Sequence, residues 1–138
     1  MKRDVYTIVL AAGSASRFGS TKQLAEVEGQ SLIARAVTVA NDACDGRSVV
    51  VVGHDAAAVA QEARSLAGFV VVNDNYLGGL GTSIAQAVRS VRHVASAAIV
   101  MLADQPGISA RHVTNLIDSW SGDAHEIVAT GFGNTQGP

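Results

Sequence analysis

Apolar residues recur along the chain in two alternating rhythms. Val5 to Ala11 is an unbroken, β-branched apolar run, as expected of a strand covered on both faces. Ser48 to Val52, Phe69 to Val72, Ala97 to Ala103 and Glu126 to Ala129 repeat it. Between these runs the spacing lengthens to that of a helix. Leu32, Ile33, Ala36, Val37 and Ala40 share one face, as do Val59, Ala60, Ala63 and Leu66 behind a capping Asp55. Ile84, Ala87, Val88 and Val91 follow Thr82 or Ser83, and Val113, Leu116, Ile117 and Trp120 follow Ser109. Strand alternating with helix predicts an α/β fold, three-layered and doubly wound about a mainly parallel sheet. Such sheets receive ligands outside the carboxyl ends of their strands, which directs attention to the strand-to-helix loops.

Composition narrows the picture. The 138 residues, 48% apolar and only 16% charged, suit a single domain spanning 1–138 with a buried core. A net charge of −2 argues against a nucleic-acid partner. No apolar run approaches the ~20 residues of a membrane span, so no membrane partner is expected. Met1 to Asp4 lead straight into the first strand, leaving no room for a signal peptide. Cys44 stands alone, which points to a cytoplasmic setting and a small buried residue. Trp120 is expected in the core.

Three loops carry candidate chemistry. The first runs Leu10-Ala11-Ala12-Gly13-Ser14-Ala15-Ser16-Arg17-Phe18-Gly19-Ser20-Thr21-Lys22. Small residues let backbone N–H groups approach a ligand, and Arg17 and Lys22 supply charge suited to a triphosphate. It is not a P-loop, because five residues separate Gly13 from Gly19 and no lysine follows Gly19. It is not a dinucleotide fingerprint either, since position 15 is Ala and position 18 is Phe.

The second loop, Asn73 to Ile84, places Gly78, Gly79 and Gly81 at a helix start, where N–H groups and the positive helix end face the cleft. Asn73 is suited to hydrogen-bond a base and Ser83 a phosphate or sugar, although a plain turn followed by a helix cap accounts for the same residues. In the third, Asp104-Gln105-Pro106 ends a buried strand. A carboxylate emerging there can hold Mg²⁺, which prefers hard oxygen ligands, or can simply cap the turn. His54, His93, His112 and His125 show no metal-ligand spacing and are expected in local or surface roles.

The first loop resembles the opening motif of the MobA-like NTP transferases, the molybdenum-cofactor cytidylyl- and guanylyltransferases and their relatives. The match lies at Leu10, Ala11, Ala12, Gly13, Arg17, Phe18, Gly19 and Lys22, and continues through Lys22-Gln23-Leu24 and Glu28 to Leu32. The Asn, Gly-rich, Ser-Ile segment and the Asp-Gln-Pro element resemble the family too, while Ala15 departs from it mildly.

The resemblance implies a Rossmann-like nucleotidyltransferase fold and a Mg²⁺-dependent transfer of NMP from an NTP to a phosphorylated small-molecule acceptor. It implies Asp104 as metal ligand, Lys22 stabilising the transition state and leaving group, and Arg17 holding the β- and γ-phosphates. Leu10, Ala11, Ala12, Gly13, Asn73, Gly79 and Ser83 would bind the nucleotide. Ala12 and Thr82-Ser83-Ile84 look like the cytidylyl branch, so CTP is expected over GTP and a molybdopterin-type cofactor as acceptor. A sugar- or alditol-phosphate acceptor, and a catalytically incomplete nucleotide-binding module, are the alternatives. Family members continue beyond the point where this chain stops, so the acceptor-binding part and a second acidic metal ligand are expected to be missing. An incomplete sheet invites oligomerisation or a partner such as a molybdoenzyme.

Overall fold

A strand apolar on both sides is stable only between two layers, and Val5–Ala11 (β1) takes that central place. The computed structural model describes residues 4–12, 24–53, 56–64, 68–105, 107–124, 126–132 and 135–137. A short hairpin, Glu26–Val27 (β2) and Gln30–Ser31 (β3), leads into helix Leu32–Cys44 (α1). Then come Ser48–Val52 (β4), Ala56–Arg64 (α2), Phe69–Val72 (β5), a 3₁₀ turn at Tyr76–Gly78, Leu80–Val91 (α3), Ala97–Leu102 (β6) and Ala110–Ser119 (α4). Thr130–Phe132 (β7) and Thr135–Gly137 (β8) form a separate antiparallel pair.

The main sheet is entirely parallel, in the order β5-β4-β1-β6. Alternation then divides its side chains between two cores. Val9, Ala11, Val50 and Val52 face α1 and α2, while Ile8, Leu10, Val49 and Val51 face α3. With α4 packed beside α1, this is a three-layer, doubly wound α/β domain, as the periodicity predicts. The chain moves outward from β1 through β4 to β5, then returns to the other side of β1 to lay down β6. The order reverses beside β1, and open α/β sheets bind ligands at that reversal.

Several expectations need correction. β1 and β4 are covered on both faces, but among the described residues β5 and β6 are the outer strands, and in β5 Phe69 is 49% and Val72 46% exposed. The run Glu126 to Ala129 is not a strand. Among the described residues it finds no ladder partner, Ile127 is 92% exposed, and the Glu126 carboxylate instead accepts from the Ser121 N–H at 2.6 Å. Val88 is 41% exposed rather than buried with Ala87 and Val91. Trp120 is half-buried at the end of α4, where its indole N–H donates to the Asp123 carbonyl at 2.9 Å, so it is not a core residue. Ser109 caps α4 as expected, accepting from His112 N at 3.1 Å, whereas α3 begins at Leu80, ahead of Thr82 and Ser83.

Candidate functional site

β1 and β6 stay stitched together to their carboxyl ends, where Ala103 N donates to the Leu10 carbonyl at 3.1 Å. Beyond that bond the strands diverge and a cleft of about 340 Å³ opens. Leu10, Ala12, Gly79, Ser83 and Asp104, all candidates from the sequence, line it together. They come from the end of β1, the start of α3 and the turn after β6, and meet at the reversal of strand order. Ala11 points to the opposite face, into the core under α1, so only its backbone is available on the cleft side. Gly13, Arg17 and Lys22 lie outside the described residues, as do His54, Asp55, Leu66, Pro106 and His125.

The Gly-rich loop is organised by one buried amide. Asn73, 4% exposed, donates through Nδ2 to Thr82 Oγ1 and Ser83 Oγ, both at 2.9 Å. Its Oδ1 accepts from Asn75 N at 3.0 Å, and its own N–H donates to the Val52 carbonyl at 2.7 Å. Thr82 in turn donates to the Gly79 and Asn75 carbonyls, at 2.6 and 3.1 Å. Gly79 adopts φ 107°, a conformation open to glycine and strained for other residues, and it begins α3 without a side-chain cap. Thr82 N donates to the Gly79 carbonyl at 3.2 Å, but a helix start otherwise leaves N–H groups without intrahelical partners, and with the positive helix end these favour an anion.

Tyr76, Leu80 and Leu102 also line the cleft and were not singled out in the sequence. Tyr76 is the informative one. It packs against Ala12 and over Gly53, where an added Cβ would lie 2.6 Å from Tyr76 Cβ and 3.0 Å from Ala12 Cβ. The available signal was a Tyr at the end of a strand-loop in a chain with only 4% aromatics, but nothing in one dimension pairs it with Gly53.

Asp104 is the one charged side chain among the described residues lining the cleft. A carboxylate in such a cleft repels an anionic ligand unless a cation stands between them. Among the described residues no group of three or more His, Cys, Asp or Glu gathers into a metal site. No helix among them is long and apolar enough to cross a membrane. A second groove, about 380 Å³, runs along β6 and α4 and is lined mainly by aliphatic side chains. Its His112 is held by Thr130, Nε2 to Oγ1 at 2.8 Å, and His93 is exposed, in keeping with local and surface roles. Convergent polar groups favour the cleft over this groove.

The chain is similar to several known proteins. A bifunctional IPC transferase and DIPP synthase from Rubrobacter xylanophilus is 42% identical over 94 residues, which cover 64% of this chain and 22% of that protein. Rv0371c from Mycobacterium tuberculosis H37Rv is 27% identical with a TM-score of 0.71, over 86% of this chain and 61% of its own. Its manganese complex is similar at 26% identity and a TM-score of 0.64, over 83% and 58%. A nucleotidyl transferase from Methanothermobacter thermautotroptrophicus shares the fold, with a TM-score of 0.73 at 24% identity over 84% and 57%. The chain thus spans about a fifth of the curated relative and less than two thirds of these solved chains. The MobA-like NTP transferase domain matches residues 7–138, and the chain belongs to that family.

Proposed function

We propose that this domain binds a nucleoside triphosphate, CTP in preference to GTP, and transfers its NMP to a phosphorylated small-molecule acceptor with release of pyrophosphate. The observation that carries the reading is the meeting of Leu10, Ala12, Gly79, Ser83 and Asp104 in one cleft at the reversal of strand order. An uncapped helix start and a carboxylate together suit a phosphate-bearing ligand that arrives with a cation.

Mg²⁺ fits that donor set. It commonly takes one or two carboxylates and completes its shell with phosphate oxygens and water, so Asp104 alone suffices from the described residues. When bound, it would neutralise charge on the phosphates. The manganese complex of Rv0371c is consistent with a divalent ion in a related protein. An acceptor phosphate oxygen attacks the α-phosphorus in line. The bond from that phosphorus to its bridging oxygen breaks, and the electron pair leaves with pyrophosphate. Lys22 stabilises the charge developing on the leaving group and Arg17 holds the β- and γ-phosphates. The protein's part is positioning and electrostatics, without a covalent intermediate.

Ala12 supports the pyrimidine preference: it lines the cleft beside Tyr76, and a Cβ there would leave less room for a purine than a glycine would. One such contact is worth about 1–3 kcal/mol of discrimination. A molybdopterin-type acceptor follows from the sequence resemblance. An acceptor of the sugar- or alditol-phosphate kind is the second reading.

Calorimetric titration of the chain with CTP and GTP, each with and without Mg²⁺, tests the proposal. Saturable, Mg²⁺-dependent binding that favours CTP is expected, with Asp104→Ala losing the metal dependence while staying folded. Equal binding of CTP and GTP removes the base assignment, and Mg²⁺-independent binding removes Asp104 as metal ligand.

A further inference from the structure

Asn73 was expected to meet the base, yet its side chain is spent inside the protein. The direction of its hydrogen bonds is fixed from both sides. Oδ1 must accept, because its partner is the Asn75 backbone N–H. Thr82 already gives its hydroxyl proton to the Gly79 and Asn75 carbonyls, so toward Asn73 it can only accept. Nδ2 is therefore the amine end, and it is the same nitrogen that reaches Ser83 Oγ at 2.9 Å. Ser83 is thereby held as an acceptor on its inner side. One lone pair is thus taken on the inner side, the O–H is left to donate, and Ser83 lines the cleft although only 3% exposed.

We infer that Asn73 is a positioning residue that turns the Ser83 hydroxyl into an oriented donor toward an acceptor oxygen of the bound nucleotide. This deepens the proposed function and rests on it. A free serine hydroxyl rotates and presents a donor or a lone pair as its surroundings require. Here one lone pair is occupied before the ligand arrives, which biases the hydroxyl toward donating, and such preorganisation lowers the ordering cost of binding. The same amide also donates to Thr82, but the Asn75 and Gly79 carbonyls hold that hydroxyl independently, so Ser83 is the group whose orientation depends on Asn73.

A double-mutant cycle reads this directly, with Mg²⁺ and CTP as the probe. Ser83→Ala is expected to weaken binding about tenfold or more, as for a hydrogen bond to a charged partner. Asn73→Ala should weaken it too, and the double variant should be no weaker than Ser83→Ala alone. A purely structural role predicts otherwise, because a loosened loop would cost affinity in the Ser83→Ala background as well. Multiplicative losses therefore overturn the inference, as does wild-type affinity in either single variant. Where alanine unfolds the loop, Asn73→Asp keeps the Asn75 contact and gives the same cycle, titrated at two salt concentrations so that the added charge is read separately. A wild-type chain that binds no nucleotide overturns the functional reading together with this one. Binding with additive losses overturns this one alone.

Discussion

Gly53 shows how one hydrogen atom in place of a methyl group shapes the cleft. The nearest obstacles to a Cβ there are Tyr76 Cβ and Cγ, at 2.6 and 2.8 Å, which belong to the rigid root of the side chain. They yield only if the whole ring, and the 3₁₀ turn it begins, moves. Gly53→Ala is expected to cost about 1–3 kcal/mol, the usual range for overpacking, and to weaken nucleotide binding through the displaced Tyr76 wall. Urea unfolding and the CTP titration check it together. Unchanged stability would mean that Tyr76 has room to withdraw. Leu10, Ala12, Gly79, Ser83 and Asp104 were legible in the sequence because each sits on a strand-to-helix boundary. Tyr76 was not, because its partner Gly53 lies in a different loop, and the inward use of the Asn73 amide was hidden for a similar reason. Composition shows that an Asn is present but not which groups will surround it.

Among the elements, α1 is the best determined. Its apolar face is continuous, and Ser31 closes the first turn by accepting from Ala34 N at 3.1 Å. The same hydroxyl donates to Glu62 Oε1 at 3.0 Å, tying α1 to α2 across the sheet's first face. Ser31→Ala removes both bonds. A loss of about 1 kcal/mol, typical of an N-cap, and a fall in Tm of a few degrees are expected. Glu62→Gln, which keeps the acceptor oxygen, should leave most of that stability in place. Thermal unfolding that treats the two variants alike would assign the effect to the α1–α2 tie rather than the cap. Strand and helix identities were readable wherever the apolar rhythm persisted, as in β1, β4 and α1. Periodicity reports which side of a strand is apolar, but not how many neighbours the strand finds. That is why β5 and β6 read as fully covered and, among the described residues, prove to be outer strands. The Glu126 to Ala129 run has the apolar character of a strand but, among the described residues, no strand beside it.

Across the molecule, the two cores are apolar apart from a few polar groups, and one of these couples stability to pH. Cys44 is buried at the end of α1, with its Sγ 3.1 Å from Thr7 Oγ1. Burial pushes its thiol pKa up, outweighing the Thr7 hydrogen bond that lowers it. In the unfolded chain the thiol ionises near about 8.5, so above that pH the folded state holds a proton the unfolded state has lost. This contribution is fully present below the unfolded pKa and is lost as pH rises toward the folded one. The stability gap between the wild type and Cys44→Ala should therefore narrow between neutral and strongly alkaline pH, as measured by urea unfolding at each pH. A gap that stays constant would show that the thiol is not the coupled group.

The reversal of strand order also sets when the cleft can exist. β1 is made first and pairs on one flank with β4, yet its other flank waits for β6, with Val5 opposite Ala97 about ninety residues later in the chain. Closing so long a loop is slow compared with forming a helix, because its entropy must be spent before the contact is gained. Until β6 docks, Leu10 and Asp104 are not neighbours, and a half-assembled sheet has no place for a ligand. Ligand binding thus reports on the final long-range pairing. A nucleotide that binds only the finished cleft would draw the folding equilibrium toward completion, so stability would rise with its concentration.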